Sequence, residues 1–294
     1  MLGDTPIETQ VKAPSPLLAG DESVREALAG QDKPWWLRLG RWQRIGVIAL
    51  EFLVIAIIWE IAIGRFELVS PIFLPPPTRI LEGLIELFSS GEIFPHLRIS
   101  AYAWVIGYAM AASFGILGGF LMGGSKVFAR LGGPIIWLIY AAPWIAFQPL
   151  FAVWFGFGVR PVIFIVFTAA VFAVLFNTAA GVQTVDTALL RCAAVFGAGT
   201  FARYRTVVFP AVFPFVLVGL RHAVVIATVG LLVGELTSTT VGLGALVAIK
   251  TAQFRIGSAF AVIVLTVIFT TVVGQSVAAA ARRLAPWHVQ EGGG

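Results

Sequence analysis

The chain reads as an all-α, polytopic membrane protein with six transmembrane helices, and three observations carry that reading. Apolar residues make up 59% of the 294 and charged residues only 12%, with a mean hydropathy of +0.92, too apolar for a water-soluble globular domain. Runs of about 20 apolar residues, enough to cross a hydrocarbon layer about 30 Å thick, recur at approximately 45–63, 101–123, 132–156, 161–183, 210–234 and 257–280. Each run is too long and continuous for a barrel strand, and lipid offers no partner to unpaired backbone groups, so each must be helical.

The basic residues set the expected topology. With the N-terminus on the cytoplasmic side, thirteen Lys and Arg fall on that side against six on the other, with Arg221 inside a span, as the positive-inside rule requires. Both termini and the stretch around Arg191–Arg205 then face the cytoplasm. The net charge of +5 follows from this asymmetry and needs no nucleic-acid partner. One Cys (Cys192) and three scattered His exclude an internal disulfide framework and argue against a metal site. The division expected is a cytoplasmic tail and membrane-surface anchor at 1–44, a membrane domain at 45–283, and a cytoplasmic C-terminal tail at 284–294. Residues 1–32 hold six acids against two bases and lack an apolar core, so no cleavable signal precedes the first span, which is itself expected to direct insertion. Trp35, Trp36 and Trp42 interleave with Arg38, Arg41 and Arg44, which suits the lipid headgroup layer.

After the first span, Leu74-Pro-Pro-Pro77-Thr78 is expected to stop one element and cap the next. Leu81, Leu84, Ile85 and Phe88 then fall at helical spacing, opposite Arg79, Glu82 and Glu86. A short amphipathic helix lying on the outer lipid surface is predicted. The second span is dense in small residues, Gly107 through Gly119, and should lie inside the bundle. Pro134, Pro143 and Pro149 predict a kinked third span with Gln148 beside the last kink. Polar side chains enter the fourth span at Asn177 and Thr178, and the fifth at Glu235, Thr237 and Ser238.

Ionisable groups inside spans are functional suspects because they are costly there. Glu60 and Glu235 lie within about a turn of a membrane face, so an interfacial or snorkelled role is expected for each. Arg221 lies eleven residues beyond Pro210, roughly 16 Å along a helix that begins at that proline, near mid-membrane. It calls either for a buried partner, with Glu51 the only acid at comparable depth, or for a wet path. Gly119-Phe-Leu-Met-Gly-Gly124-Ser125-Lys126 imitates a phosphate-cradling loop, but Ser125 separates the Lys from the last Gly and a membrane helix replaces the strand, so the chain should bind no nucleotide. The most informative stretch is Arg191-Cys-Ala-Ala-Val-Phe-Gly197 followed by Thr200-Phe-Ala-Arg203-Tyr-Arg205 and Val207-Val-Phe-Pro210. One central Arg costs about 2.5–3.5 kcal/mol on the lenient insertion scale, so this elbow must stand in water.

The elbow and its flanks resemble the permease subunits of type I ABC importers, in the group that includes nitrate, sulfonate and taurine transporters. In that family a cytoplasmic loop of the form E-A-A, three residues, G, nine residues, I-x-L-P docks on the ATPase subunit. Here Ala193 takes the second Ala, Gly197 the Gly, and Val207-Val-Phe209-Pro210 the close, while Arg191 and Cys192 replace the usual Glu and Ala. Further matches run in order through Trp59-Glu60, Leu74–Thr78, Ala142-Pro143, Gln148-Pro149-Leu150, Asn177-Thr178, Gly219-Leu-Arg221, Glu235 and Gly242-Leu-Gly244.

The resemblance implies a type I permease fold and a homodimer of this chain in the cell inner membrane. Two ATPase subunits binding ATP and Mg, and an external substrate-binding protein, would be its partners, with no cofactor in the chain itself. It implies that loop 186–208 couples to the ATPase through Arg191, Cys192, Ala193, Gly197, Thr200, Phe201, Arg203, Tyr204 and Pro210. Gln148, Asn177, Thr178, Arg221, Glu235, Thr237 and Ser238 would line or shape the path of a small polar or anionic solute. The alternatives are a stand-alone secondary carrier or channel, and a membrane scaffold; polar side chains inside several spans argue against the scaffold.

Overall fold

The computed structural model describes residues 40–66 and 68–284, and all its regular elements are helical. The expected tail and the anchor as far as residue 39, like residues 285–294, lie outside the described residues. Contacts divide the chain into two units, Met1–Ile58 and Trp59–Gly294. The first contributes most of α1, Arg41–Trp59, in which nearly every described side chain from Gly46 to Ile58, Glu51 included, is exposed. Such a helix is apolar all round and built to meet lipid or other protein.

In the second unit a π-helical segment, Glu60–Arg65, leads through the proline run to α2, Pro77–Ser89. The helix start is capped differently from the expectation. Pro76 stands at the cap position, where a ring has no acceptor to offer, and the missing group comes from Glu60. Its carboxylate accepts from Thr78 N at 3.1 Å and Thr78 Oγ1 at 2.9 Å, favourable for a negative group at a helix N-terminus. Of the predicted stripe, Leu81, Ile85 and Phe88 are exposed and Leu84 is half-buried, while Ile80, Gly83 and Leu87 are buried. Gly83 permits that packing, because a Cβ there would stand 2.7 Å from Ser258 Cα.

Three long helices form the core: α3, Ile93–Gly124, α6, Val159–Gln183, and α9, Phe209–Ser238. Lipid tails are as apolar as leucine, so close van der Waals fit must hold such helices together. The small-residue stripe of α3 provides it. A Cβ at Gly107, Gly115, Gly119 or Gly123 would meet Val166, Val174, Thr178 or Val182 at 2.5–2.7 Å, distances at which something must move. Val162, Val166, Val174, Ala223, Val224 and Leu231 pack the centre.

The third span is two helices. α4, Lys126–Ala141, and the segment Trp144–Phe155, a 3₁₀ turn running into α5, Gln148–Phe155, meet at 79°. Pro134 is carried inside α4, so a single lost donor leaves the helix intact. At Ala142-Pro143 the residue before the ring turns extended, with ψ 135°, and Pro149 opens α5 in its first turn. Two prolines six residues apart break what one only strains. The described residues thus hold five helices long and apolar enough to cross a membrane, plus this broken pair as a sixth span.

Four elements remain: α7, Thr187–Val195; α8, Thr200–Arg203; α10, Leu243–Ala252; and α11, Ile256–Leu284. Pro210 does not begin the fifth span as expected. The chain is helical from Thr200 to Ser238, and a π segment, Tyr204–Val208, precedes the proline. The extra residue per turn makes room for a ring that donates no hydrogen bond.

Candidate functional site

The loop between α6 and α9 is built from short local rules. Asp186 Oδ1 accepts from Ala188 N at 2.7 Å and starts α7. At its end Ala198 N donates to Ala193 O and Gly197 N to Ala194 O, both at 3.0 Å, the paired bonds that close a helix around a left-handed residue. That residue is Gly197, at φ +79°, where a side chain would be strained. The turn leaves Val195, Phe196 and Phe201 at 85, 89 and 79% exposure, and Arg191 and Cys192 also stand out. Thr200 Oγ1 accepts from Arg203 at 3.3 Å. Tyr204 reaches back to α3, where a Cβ on Gly124 would stand 2.6 Å from its hydroxyl.

At the other end of α9 the chain turns inward. Glu235 is 0% exposed and does not snorkel. Its carboxyl accepts from Ser100 Oγ at 2.6 Å and from Gly244 N at 2.8 Å. Ser100 Oγ also accepts from Leu243 N at 2.7 Å, and His96 Nδ1 lies 2.8 Å from Gly242 O and 3.0 Å from Gly242 N, bonding one or the other according to its tautomer. A Cβ on Gly242 would lie 2.4 Å from Glu235 Cδ. The Gly242-Leu-Gly244 turn is thus the cradle of a buried carboxyl at the start of α10.

Two further hydrogen bonds continue the tie between α3 and α9. Trp104 Nε1 donates to Thr228 Oγ1 at 3.1 Å and Tyr108 Oη to Leu220 O at 2.9 Å. Ser100, Trp104 and Tyr108 are four apart and so share one face of α3. That spacing was the available signal, and the sequence reading passed over it. It also passed over Lys250, which is 3% exposed and bonded to Glu92 at 2.7 Å.

The polar residues named for the path separate into groups. Gln148, Thr237 and Ser238 come together with Pro149 and Phe157 around a cavity of about 370 Å³. A second space of about 420 Å³ adjoins it along Thr237–Thr240. Ser238 Oγ is buried without a partner, while its carbonyl accepts from Gly158 N at 2.7 Å. Asn177 and Thr178 turn onto their own helix, bonding Ala173 O and Val174 O at 2.7 and 2.8 Å, and Thr178 is fully buried. Arg221 is exposed on α9, twenty-one residues from the helix start at Thr200. Among the described residues it takes part in no ion pair; the pairs are Lys250–Glu92 and Arg255–Glu86.

Five apolar spans and a broken pair that makes a sixth, with polar groups drawn inside and a helical loop standing off one end, define a multi-pass helical membrane protein. The chain belongs to the family described as binding-protein-dependent transport system inner membrane component, which matches residues 111–286. It is 32% identical, over 92% of its length and 96% of the relative's, to a protein described as an aliphatic sulfonates transport permease in Bacillus subtilis (strain 168). It is 30% identical, over 90% of its length and 97% of the relative's, to the taurine transport system permease protein of Escherichia coli (strain K12). A formylaminopyrimidine transport permease of Halalkalibacterium halodurans is 30% identical over 66% of this chain and 77% of the relative. The protein is an ABC transporter permease subunit, an inner membrane component of such a system.

Proposed function

We propose that this chain is the spanning subunit of an ATP-driven importer that receives a small polar or anionic solute from an external binding protein and passes it to the cytoplasm. Two copies form the membrane dimer. Two ATPase subunits hold ATP and Mg and engage residues 186–208, which with both termini face the cytoplasm. Closure of the ATPases draws the two loops together and turns the path from inward to outward facing.

The observation that carries this reading is the tip of the loop. Val195, Phe196 and Phe201 are 79–89% exposed beyond the apolar run, an apolar knob of the kind that marks an interface, and Arg191, Arg203 and Arg205 keep it out of lipid. Relatives named for sulfonates and taurine support an anionic solute. Gln148, Thr237 and Ser238 around one cavity support a path of neutral donors, which release an anion more readily than a fixed cation does.

Reconstitution with the ATPase and binding protein tests the proposal. Gly197→Glu is expected to leave insertion and dimerisation intact and to abolish substrate-stimulated ATP hydrolysis, since it strains the turn and places an acid at its tip. Normal stimulation in that variant would sink the coupling role. Solute uptake by the purified chain without any ATPase would favour a stand-alone carrier.

A further inference from the structure

A cavity of about 410 Å³ opens where α3, α6 and α7 meet the root of the loop. Its walls have two chemistries. Val182, Leu190 and Val208 supply an apolar floor, while Lys126, Arg203 and Tyr204 supply a polar side that carries two cations. No acidic side chain is among its described lining residues. Asp186, between the lining residues Val185 and Thr187, is exposed, and its Oδ1 accepts from Ala188 N.

Arg203 is incompletely satisfied there. Its Nη2 donates to Thr200 Oγ1 at 3.3 Å, but its Nε is buried and has no hydrogen-bond partner. A buried N–H of a cation without an acceptor is costly, and an anion held against the part of Arg203 that lines the cavity would offset the guanidinium charge. The second cation, Lys126, is the first residue of α4 and follows directly on the apolar run of α3.

We propose that this cavity binds an anionic phospholipid, the phosphate monoanion against Arg203 and Lys126 and the upper part of an acyl chain along Val182, Leu190 and Val208. Free phosphate shares the headgroup chemistry but makes no use of the floor. Basic pockets between membrane helices hold anionic headgroups by this combination of charge and apolar contact. The bound lipid wedges against Leu190 on α7 and Arg203 on α8, so it stiffens the base of the loop. The site does not depend on the solute carried.

The test uses the full chain, delipidated in a neutral detergent, with thermal unfolding as the readout. Phosphatidylglycerol is expected to raise the unfolding temperature by mass action, with phosphatidylcholine and inorganic phosphate giving little shift at the same concentration. Arg203→Gln and Lys126→Gln should each weaken phosphatidylglycerol binding about fivefold. Gln183→Trp, at an exposed position on the cavity wall, should block it by bulk without touching either cation. Native mass spectrometry of the unaltered protein, counting retained phosphatidylglycerol, covers the case in which an Arg203 variant fails to fold. Equal stabilisation by phosphatidylcholine, equal stabilisation by inorganic phosphate, or undiminished phosphatidylglycerol binding in Gln183→Trp would each overturn the proposal.

Discussion

The two ends of α9 solve opposite problems with similar parts. At the loop end a glycine at φ +79° closes a short helix whose tip faces outward, with Phe196 at 89% exposure. At the far end Gly242, also at positive φ, closes a turn around Glu235, which is fully buried and bonded to Ser100 and Gly244. Both turns need glycine, but at Gly197 a Cβ would meet nothing within 4 Å, whereas at Gly242 it would collide with the carboxyl. One turn leaves its tip open and the other is finished by the chain itself. Stability should therefore be concentrated at the buried end, and coupling at the open one.

Substitutions at the two ends can break or sharpen that contrast. The largest effect is expected from Gly242→Val, which combines backbone strain with a side chain driven into Glu235; roughly 3 kcal/mol or more of stability should be lost, read as unfolding in mixed micelles or as failure to accumulate. Glu235→Ala should cost about 2–3 kcal/mol because Ser100 and the Gly244 N–H lose their acceptor, and Glu235→Gln, which keeps an acceptor, should cost less than half as much. Equal losses for Ala and Gln would mean that the hydrogen bonds are not what the buried end depends on. Trp104→Phe, removing the bond to Thr228 while keeping the ring, is expected to cost only about 0.6 kcal/mol, the usual size of such bonds between membrane helices. At the open end Phe196→Ala should change stability by less than about 0.5 kcal/mol and yet weaken ATPase binding measurably by surface plasmon resonance. A stability loss in Phe196→Ala as large as that in Glu235→Ala would erase the distinction.

Much of this organisation was legible in the residues. The spans follow from run length, and the turn at Gly197 follows from a glycine placed between two short helical segments. Pro134, Pro143 and Pro149 announced a kink in the third span, which the structure turns into a full break at Ala142-Pro143. Other features were not legible, because they depend on a partner far away in sequence. Glu60 was expected only as an interfacial acid, and its capping of α2 through Thr78 was not readable from the sequence. Glu235 looked like a snorkelling acid, but its acceptors are used by a serine on α3 and a turn that follows it. The face that α2 buries against the rest of the chain was not legible for a related reason. Apolar residues occupy two adjacent stripes of that helix, and only the small Gly257-Ser258 pair on α11 selects the stripe holding Ile80, Gly83 and Leu87.

By itself the sequence determined that this chain crosses a membrane several times as helices, because apolar run length and backbone hydrogen bonding in lipid leave no other solution. It also determined the exposed loop, since clustered arginines cannot be buried and a left-handed glycine acts within a few residues. Tertiary structure alone decided which polar groups are consumed inside the bundle and which remain available. A side chain's fate in a membrane helix depends on whether an acceptor or a small residue stands opposite it, and that neighbour is brought there by packing, from as far as Ser100 is from Glu235.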